Sequence, residues 1–286
     1  MTLQQAVMLA LQASILLTVF GFGLQATVHD LLYLVRRPGL LARSLVAMFV
    51  IMPIVAVILV RAFELRPAFE IALVALAISP VPPLLPGKEG KAGGEIAYGL
   101  ALMAVASLLS IGVLPLWVEL LERYFGRPFQ MPPSAIARVV VTTILLPMAV
   151  GVIVRVIAPS TAGRLEKPTK VVATVLLLLG AAALLVTALP SVLGLTGDGS
   201  LLVMAAFVGI GLGAGHLLGG PQAEESTVLA LSTASRHPAL ALAVAKVNFP
   251  DEPYLGATIL LYLIVAAVIS LPYVASQRRI LIPRPS

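Results

Sequence analysis

The sequence predicts an all-α polytopic membrane protein of about nine transmembrane helices. Hydrophobic residues make up 59% of the 286 and charged residues only 11%, where a soluble domain carries about 25% charged. The charge deficit runs the whole length, at a mean hydropathy of +1.05, so no soluble domain of useful size remains. Apolar runs long enough to cross a bilayer, about 20 residues each, recur from end to end.

In chain order the expected spans cover about 5–28, 39–60, 68–85, 94–121, 134–158, 170–193, 200–219, 224–247 and 254–275. The start, Met1 to Gln5, has no basic n-region, and its apolar run passes directly into a basic loop. It therefore reads as a mature span rather than a cleaved signal. The second span contains MFVIMPIVAVIL. The third, IALVALAISPVPPLLPGKEGKAGGE, must break near Ser79. Pro80, Pro82, Pro83 and Pro86 lack an N–H and clash with the preceding turn. The fourth to seventh are apolar runs joined mostly by short connections, which favours a compact bundle. The eighth, STVLALSTASRHPALALAVAK, breaks at Pro238, directly after Arg236 and His237. The ninth is again long and apolar.

Backbone groups freed by a break find no partner in hydrocarbon. Broken helices therefore persist only where protein or a water-filled cavity covers them. The third and eighth spans are five apart, so they run in opposite directions, and each precedes a long apolar span. A matched pair of Pro-interrupted spans points to an inverted repeat with a binding site near the midplane. The bland alternative is a packing kink.

Charge gives an orientation. With the N-terminus outside and the C-terminus cytoplasmic, Arg36, Arg37, Arg43, Lys88, Lys91, Arg155, Arg164, Lys167, Lys170, Arg278, Arg279 and Arg284 lie inside. Arg61, Arg66, Arg123, Arg127, Arg138 and Lys246 lie outside, a twofold bias toward the cytoplasm. The net charge of +6 is thus a topological signal. No basic cluster interleaved with aromatics suggests nucleic acid. Zero cysteines exclude disulfides and thiol chemistry. His29, His216 and His237 show no metal-ligand spacing, no nucleophile–base motif appears, and no cofactor is expected. The chain does not read as an enzyme.

The segments GFGLQATVHDLLYLVRRP, MFVIMPIVAVIL, ALVALAISP, GLALMAVASLLSIGVLPLW and ALALAVAK, in that order, resemble the bile acid:sodium symporter family over nearly the whole chain. The family's bacterial members commonly have ten spans, and this chain would lack the first. The resemblance implies a panel (about 5–60 and 170–219) and a core (about 68–158 and 224–275) within one transmembrane domain. The broken third and eighth helices would cross at the midplane and move against the panel in alternating access. It also implies organic-anion substrates driven by sodium. The family's sodium-ligand positions, however, fall on Leu85 and Pro86 after the third-span break, Gly99 and Met103 in the next span, Met48 in the second, and Thr233, His237 and Pro238 in the eighth. Nearly every side-chain oxygen is gone, and a cation, Arg236, stands among them. Sodium coupling is expected to be absent or strongly altered.

The remaining polar residues define a candidate substrate site: Arg236, His237, Thr233, Ser235, Lys88, Lys91, Glu89 and Ser79. A charge near the bilayer centre usually faces a pathway, and a guanidinium fork suits a carboxylate. Arg236 reads as an anion anchor, or else as a structural partner of Glu89 or Glu95. His237 reads as a proton carrier, or as a ring bonded to freed carbonyls. In Gly87–Glu95, the glycines at 87, 90, 93 and 94 weaken any helix, so it reads as a flexible gate, an anion-binding loop, or an ordinary cytoplasmic loop. Ser232, Thr233 and Ser235 line a polar cavity or bond back to helix carbonyls. Tyr98 reads as a cavity or interface residue, Asn248 and Asp251 as a turn. The expectation is a secondary transporter in the cell membrane, moving a small organic anion without sodium, either facilitated or linked to protons. A sodium-coupled symporter and a receptor that binds without transport are the alternatives.

Overall fold

Proline sets the joints of this chain. The computed structural model describes residues 3–125, 132–195 and 199–282; Arg127 and Arg284 of the orientation argument lie outside them. The described residues are all-helical, without strands. Helix α1 (Leu3–Gln25) is followed by the short α2 (Val28–Leu31), whose Thr27 and Asp30 form a reciprocal capping box. Next come α3 (Pro38–Val46), a π-turn at Ala47–Ile51, and α4 (Met52–Ala62). The third expected span is split into α5 (Pro67–Ile78) and α6 (Leu85–Lys91). The long α7 (Ile96–Phe125) follows, then α8 (Pro133–Val140), a second π-turn at Val141–Leu145, and α9 (Leu146–Ile157). The chain continues through α10 (Pro159–Leu193) and α11 (Ser200–Leu218). The eighth expected span is split into α12 (Ala223–Ala234) and α13 (Pro238–Asn248), and α14 (Leu255–Leu281) closes the order.

Prolines open α3, α5, α8, α10 and α13, at the one helical position where a missing N–H costs nothing. Pro53 and Pro147 sit inside spans, and in both cases the preceding turn widens to π geometry, which moves the ring away from the carbonyl it would strike. Among the described residues, eight helical stretches are long and apolar enough to cross a membrane, with Ala223–Asn248 counted across its break. The remaining expected span is α5, which has only 12 residues before its break. Helix α10 begins well ahead of the expected 170, because Pro159 starts the helix early and the turn bearing Arg164 and Lys167 joins it. Its outer face leaves Leu178, Leu179 and Val186 largely exposed, a surface suited to lipid.

Close helix contacts are made by glycine. Gly23 on α1 and Gly151 on α9 face each other so closely that a Cβ on Gly151 would stand 2.8 Å from the Gly23 Cα. On α11, Gly211 and Gly215, with Gly219 at its end, bring the backbone against Ala234, Ala230 and Ser226 of α12. Small residues spaced by four are how membrane helices approach without a hydrophobic driving force between them. The stripe holds α12 at the centre, where every residue from Glu225 to Ala234 is buried.

Candidate functional site

The site begins with carbonyls that proline has orphaned. Pro53 has no N–H, so Phe49 O lacks its α-type donor and Met48 O its π-type donor. The Trp117 indole donates to Phe49 O at 2.7 Å. Arg236 Nη1 donates to Met48 O at 3.2 Å. The third-span break likewise offers acceptors. Ser79 is extended, at φ −75° and ψ 150°, and Arg236 Nη1 also donates to Ser79 O at 3.3 Å.

The eighth-span break supplies the donors. Ser235 is extended, at φ −108° and ψ 136°, and ends α12. The His237 N–H is shared between Pro80 O at 2.9 Å and Ser79 Oγ at 3.0 Å. The Tyr262 hydroxyl donates to Ala234 O at 2.9 Å. The two breaks are therefore in direct contact, hydrogen-bonded backbone to backbone.

Among the described residues Arg236 is the largest fully buried side chain, with 0% exposure. The expected alternative, an ion pair with Glu89 or Glu95, is not what the structure has: the guanidinium goes to carbonyls instead. Its Nε and Nη2 have no partner. His237 Nδ1 accepts from Leu240 N at 3.3 Å, capping α13, while Nε2 is buried and unpartnered. Capping uses the unprotonated Nδ1, so a proton arriving there displaces the cap. Thr233 Oγ1 is buried without a partner, and Ser232 does not bond back to its helix.

The Gly87–Glu95 segment corrects the sequence reading. Its first part is helical, as α6, and only the turn after Lys91 is irregular. Packing overrides propensity: Gly87 meets Phe22, and Gly90 meets Ile96. Lys88 is half-buried and Lys91 exposed, and neither is bonded to Arg236 or His237. Glu89 is fully buried. Its Oε1 accepts from Ser232 Oγ at 2.6 Å, and its Oε2 has no partner. Tyr98 is buried, with its hydroxyl 2.7 Å from Ser44 Oγ, so it is no interface anchor.

Two further features escaped the sequence. A cavity of about 720 Å³ opens at the α4–α5 turn, lined by Arg61, Phe63, Glu70, Ile78, Val118 and Asn248. That volume suits a small ligand. Arg236 and His237 do not line it. The second feature joins the α2–α3 segment to the start of α12. Arg37 pairs with Glu225, Tyr33 donates to Glu225 Oε1 at 2.7 Å, and the Arg37 guanidinium lies 4.3 Å over the Tyr33 ring. Burial first, and then the bond to Glu225, push the Tyr33 hydroxyl well above the usual phenol range. Partners so far apart in sequence leave no local signal.

Compared with known proteins, the chain matches the sodium bile acid symporter family over residues 13–195. It belongs to that family. The matched region of this symporter-family chain takes in the third-span break and Glu89 but stops before α12, where Arg236 stands. A sodium-dependent organic anion transporter of Rattus norvegicus is 23% identical over 244 residues, which cover 82% of this chain and 64% of the relative. The chain thus spans somewhat less than two thirds of that relative's length.

Proposed function

We propose that this family member is a secondary transporter that carries a small organic anion across the membrane by alternating access, without sodium coupling. One observation carries the reading. At the contact between two broken helices sits a fully buried guanidinium with two N–H-bearing nitrogens unpartnered and, among the described residues, no acidic partner. A buried cation without a counter-charge is unfavourable, and a carboxylate supplies both the charge and the missing acceptors in bidentate form. The family and the organic-anion relative support the substrate class.

The same guanidinium argues against sodium. It already occupies Met48 O and Ser79 O, carbonyls of the kind that unwound helices offer to a coupling ion. A second cation there would meet repulsion. In this reading the 720 Å³ cavity is the outer vestibule and the Arg37–Glu225 pair closes the cytoplasmic side. This follows the orientation read from the basic residues, with the N-terminus outside.

The test is uptake of a panel of radiolabelled organic anions, taurocholate included, by purified protein in liposomes. A sodium gradient, a proton gradient and no gradient are compared, with Arg236→Ala and Arg236→Lys alongside. Flux indifferent to sodium and lost in both variants is expected. Sodium-driven accumulation would overturn the coupling claim. Saturable anion binding without flux would favour the receptor alternative.

A further inference from the structure

Glu89 stands out among the groups that an anion anchor does not use. It lies on α6, faces α12 through Ser232 and faces α7 through Gly99. A Cβ added at Gly99 would fall directly onto its Oε2. The glycine is therefore what makes room for the carboxyl, and the room ends at an oxygen that nothing satisfies. Among the described residues Glu89 has no ion-pair partner. The charged and titratable groups around it are few. Lys88 acts on it from its own helix, and Tyr98 faces it from α7. From α12 Glu225 is held by Arg37 and Tyr33, and the acceptor Oε1 is fixed by Ser232.

We propose that Glu89 is the proton-binding site of this transporter, loaded and emptied in step with the anion at Arg236. This rests on the transport reading above. The physical reason is charge balance in a core that water does not reach. With no cargo and Glu89 ionised, the core holds one fixed positive charge at Arg236 and one negative charge at Glu89, with the half-buried Lys88 at its edge. An anion arriving on Arg236 would leave the core at net −1, which a low-dielectric interior resists. One proton taken up on Oε2 converts the carboxylate to the acid and restores neutrality. Release on the far side returns the proton and the anion together. Ser232 and Arg236 lie four residues apart on the same broken segment, so the two events act on one element. The cycle moves one proton with one monovalent anion and no net charge.

Two measurements on the full-length protein test this. Infrared difference spectra of purified protein between acid and alkaline pH should show the carbonyl band of a buried carboxylic acid that is absent in Glu89→Gln. The absence of such a band, or an identical band in the variant, overturns the proposal. In proteoliposomes with taurocholate as probe, an inward gradient of about two pH units should accumulate the anion up to about 100-fold, independent of membrane voltage. Glu89→Gln, fixed in the neutral form, should lose the accumulation driven by the proton gradient. Wild-type flux that ignores the proton gradient, or accumulation by the variant at the wild-type level, overturns the proposal and leaves the transport reading standing. No flux in the wild type would overturn the transport reading and the coupling built on it, while the infrared band would still decide whether Glu89 is a proton site.

Discussion

At the break between α5 and α6, Pro80, Pro82 and Pro83 contribute carbonyls and no N–H groups. At the break between α12 and α13 there is a single Pro238, preceded by a guanidinium and by a backbone N–H that no helix uses. The third-span break is a set of acceptors and the eighth-span break a set of donors. Each alone would leave buried polar groups unmet in a membrane, at a cost of several kcal/mol. Together they meet in bonds across Ser79, Pro80, Arg236 and His237, which leave only Arg236 Nε and Nη2 and His237 Nε2 of those two side chains unpartnered. Two interruptions become a joint because their chemistry differs. The same asymmetry places the fixed positive charge on one segment and the buried acid on the other.

The largest effect expected from breaking this complementarity is that of Arg236→Ala. Met48 O and Ser79 O would both lose their side-chain donor, at about 3 kcal/mol. The measurement is thermal unfolding in detergent, which should show a clear fall in Tm together with loss of anion flux. A variant as stable as wild type would mean that water replaces the guanidinium and the joint is not donor-limited. Gly99→Ala tests the acceptor side, since its methyl group meets Glu89 Oε2. Overpacking of this kind costs about 1–3 kcal/mol, and Glu89→Gln in the same background should recover little of it, because the clash is steric.

A smaller effect is expected for Trp117→Phe, which leaves Phe49 O without its donor. The loss should be about 1 kcal/mol, read as a lower unfolding midpoint. Anion affinity should stay near wild type, because the Met48–Arg236 bond remains. The smallest effect on stability is expected for Arg37→Gln. Arg37 is 45% exposed, so its pair with Glu225 is screened and contributes under about 1 kcal/mol. Its transport rate should nevertheless become less sensitive to ionic strength, since the latch is the salt-dependent contact.

The two breaks were legible in the sequence because proline acts locally. Pro80 and Pro238 remove specific N–H groups whatever surrounds them. The spans were legible because about 20 apolar residues can do little else. The length of α6 was not, because its glycines weaken a free helix and packing at Phe22 and Ile96 holds them. Nor was the destination of Arg236. An ion pair with Glu89 or Glu95 was the obvious partner by charge, yet Pro53 had freed a carbonyl in a distant span, and no spacing rule connects 48 with 236. The Tyr33–Arg37–Glu225 latch escaped for the same reason. Orphaned acceptors are a usable signal all the same: each in-span proline names a carbonyl four or five residues earlier that must find a donor.

The chain contains a single tryptophan, and it is Trp117, tied to Phe49 O one residue from the carbonyl that receives Arg236. Nearly all the long-wavelength ultraviolet emission of the protein therefore comes from one indole beside the crossing point. Opening of that joint would change the indole's hydrogen bond and hydration, and with them its colour and lifetime. Under the proposed alternating access, that indole would serve as a native optical reporter of the cycle, readable in real time without any added label.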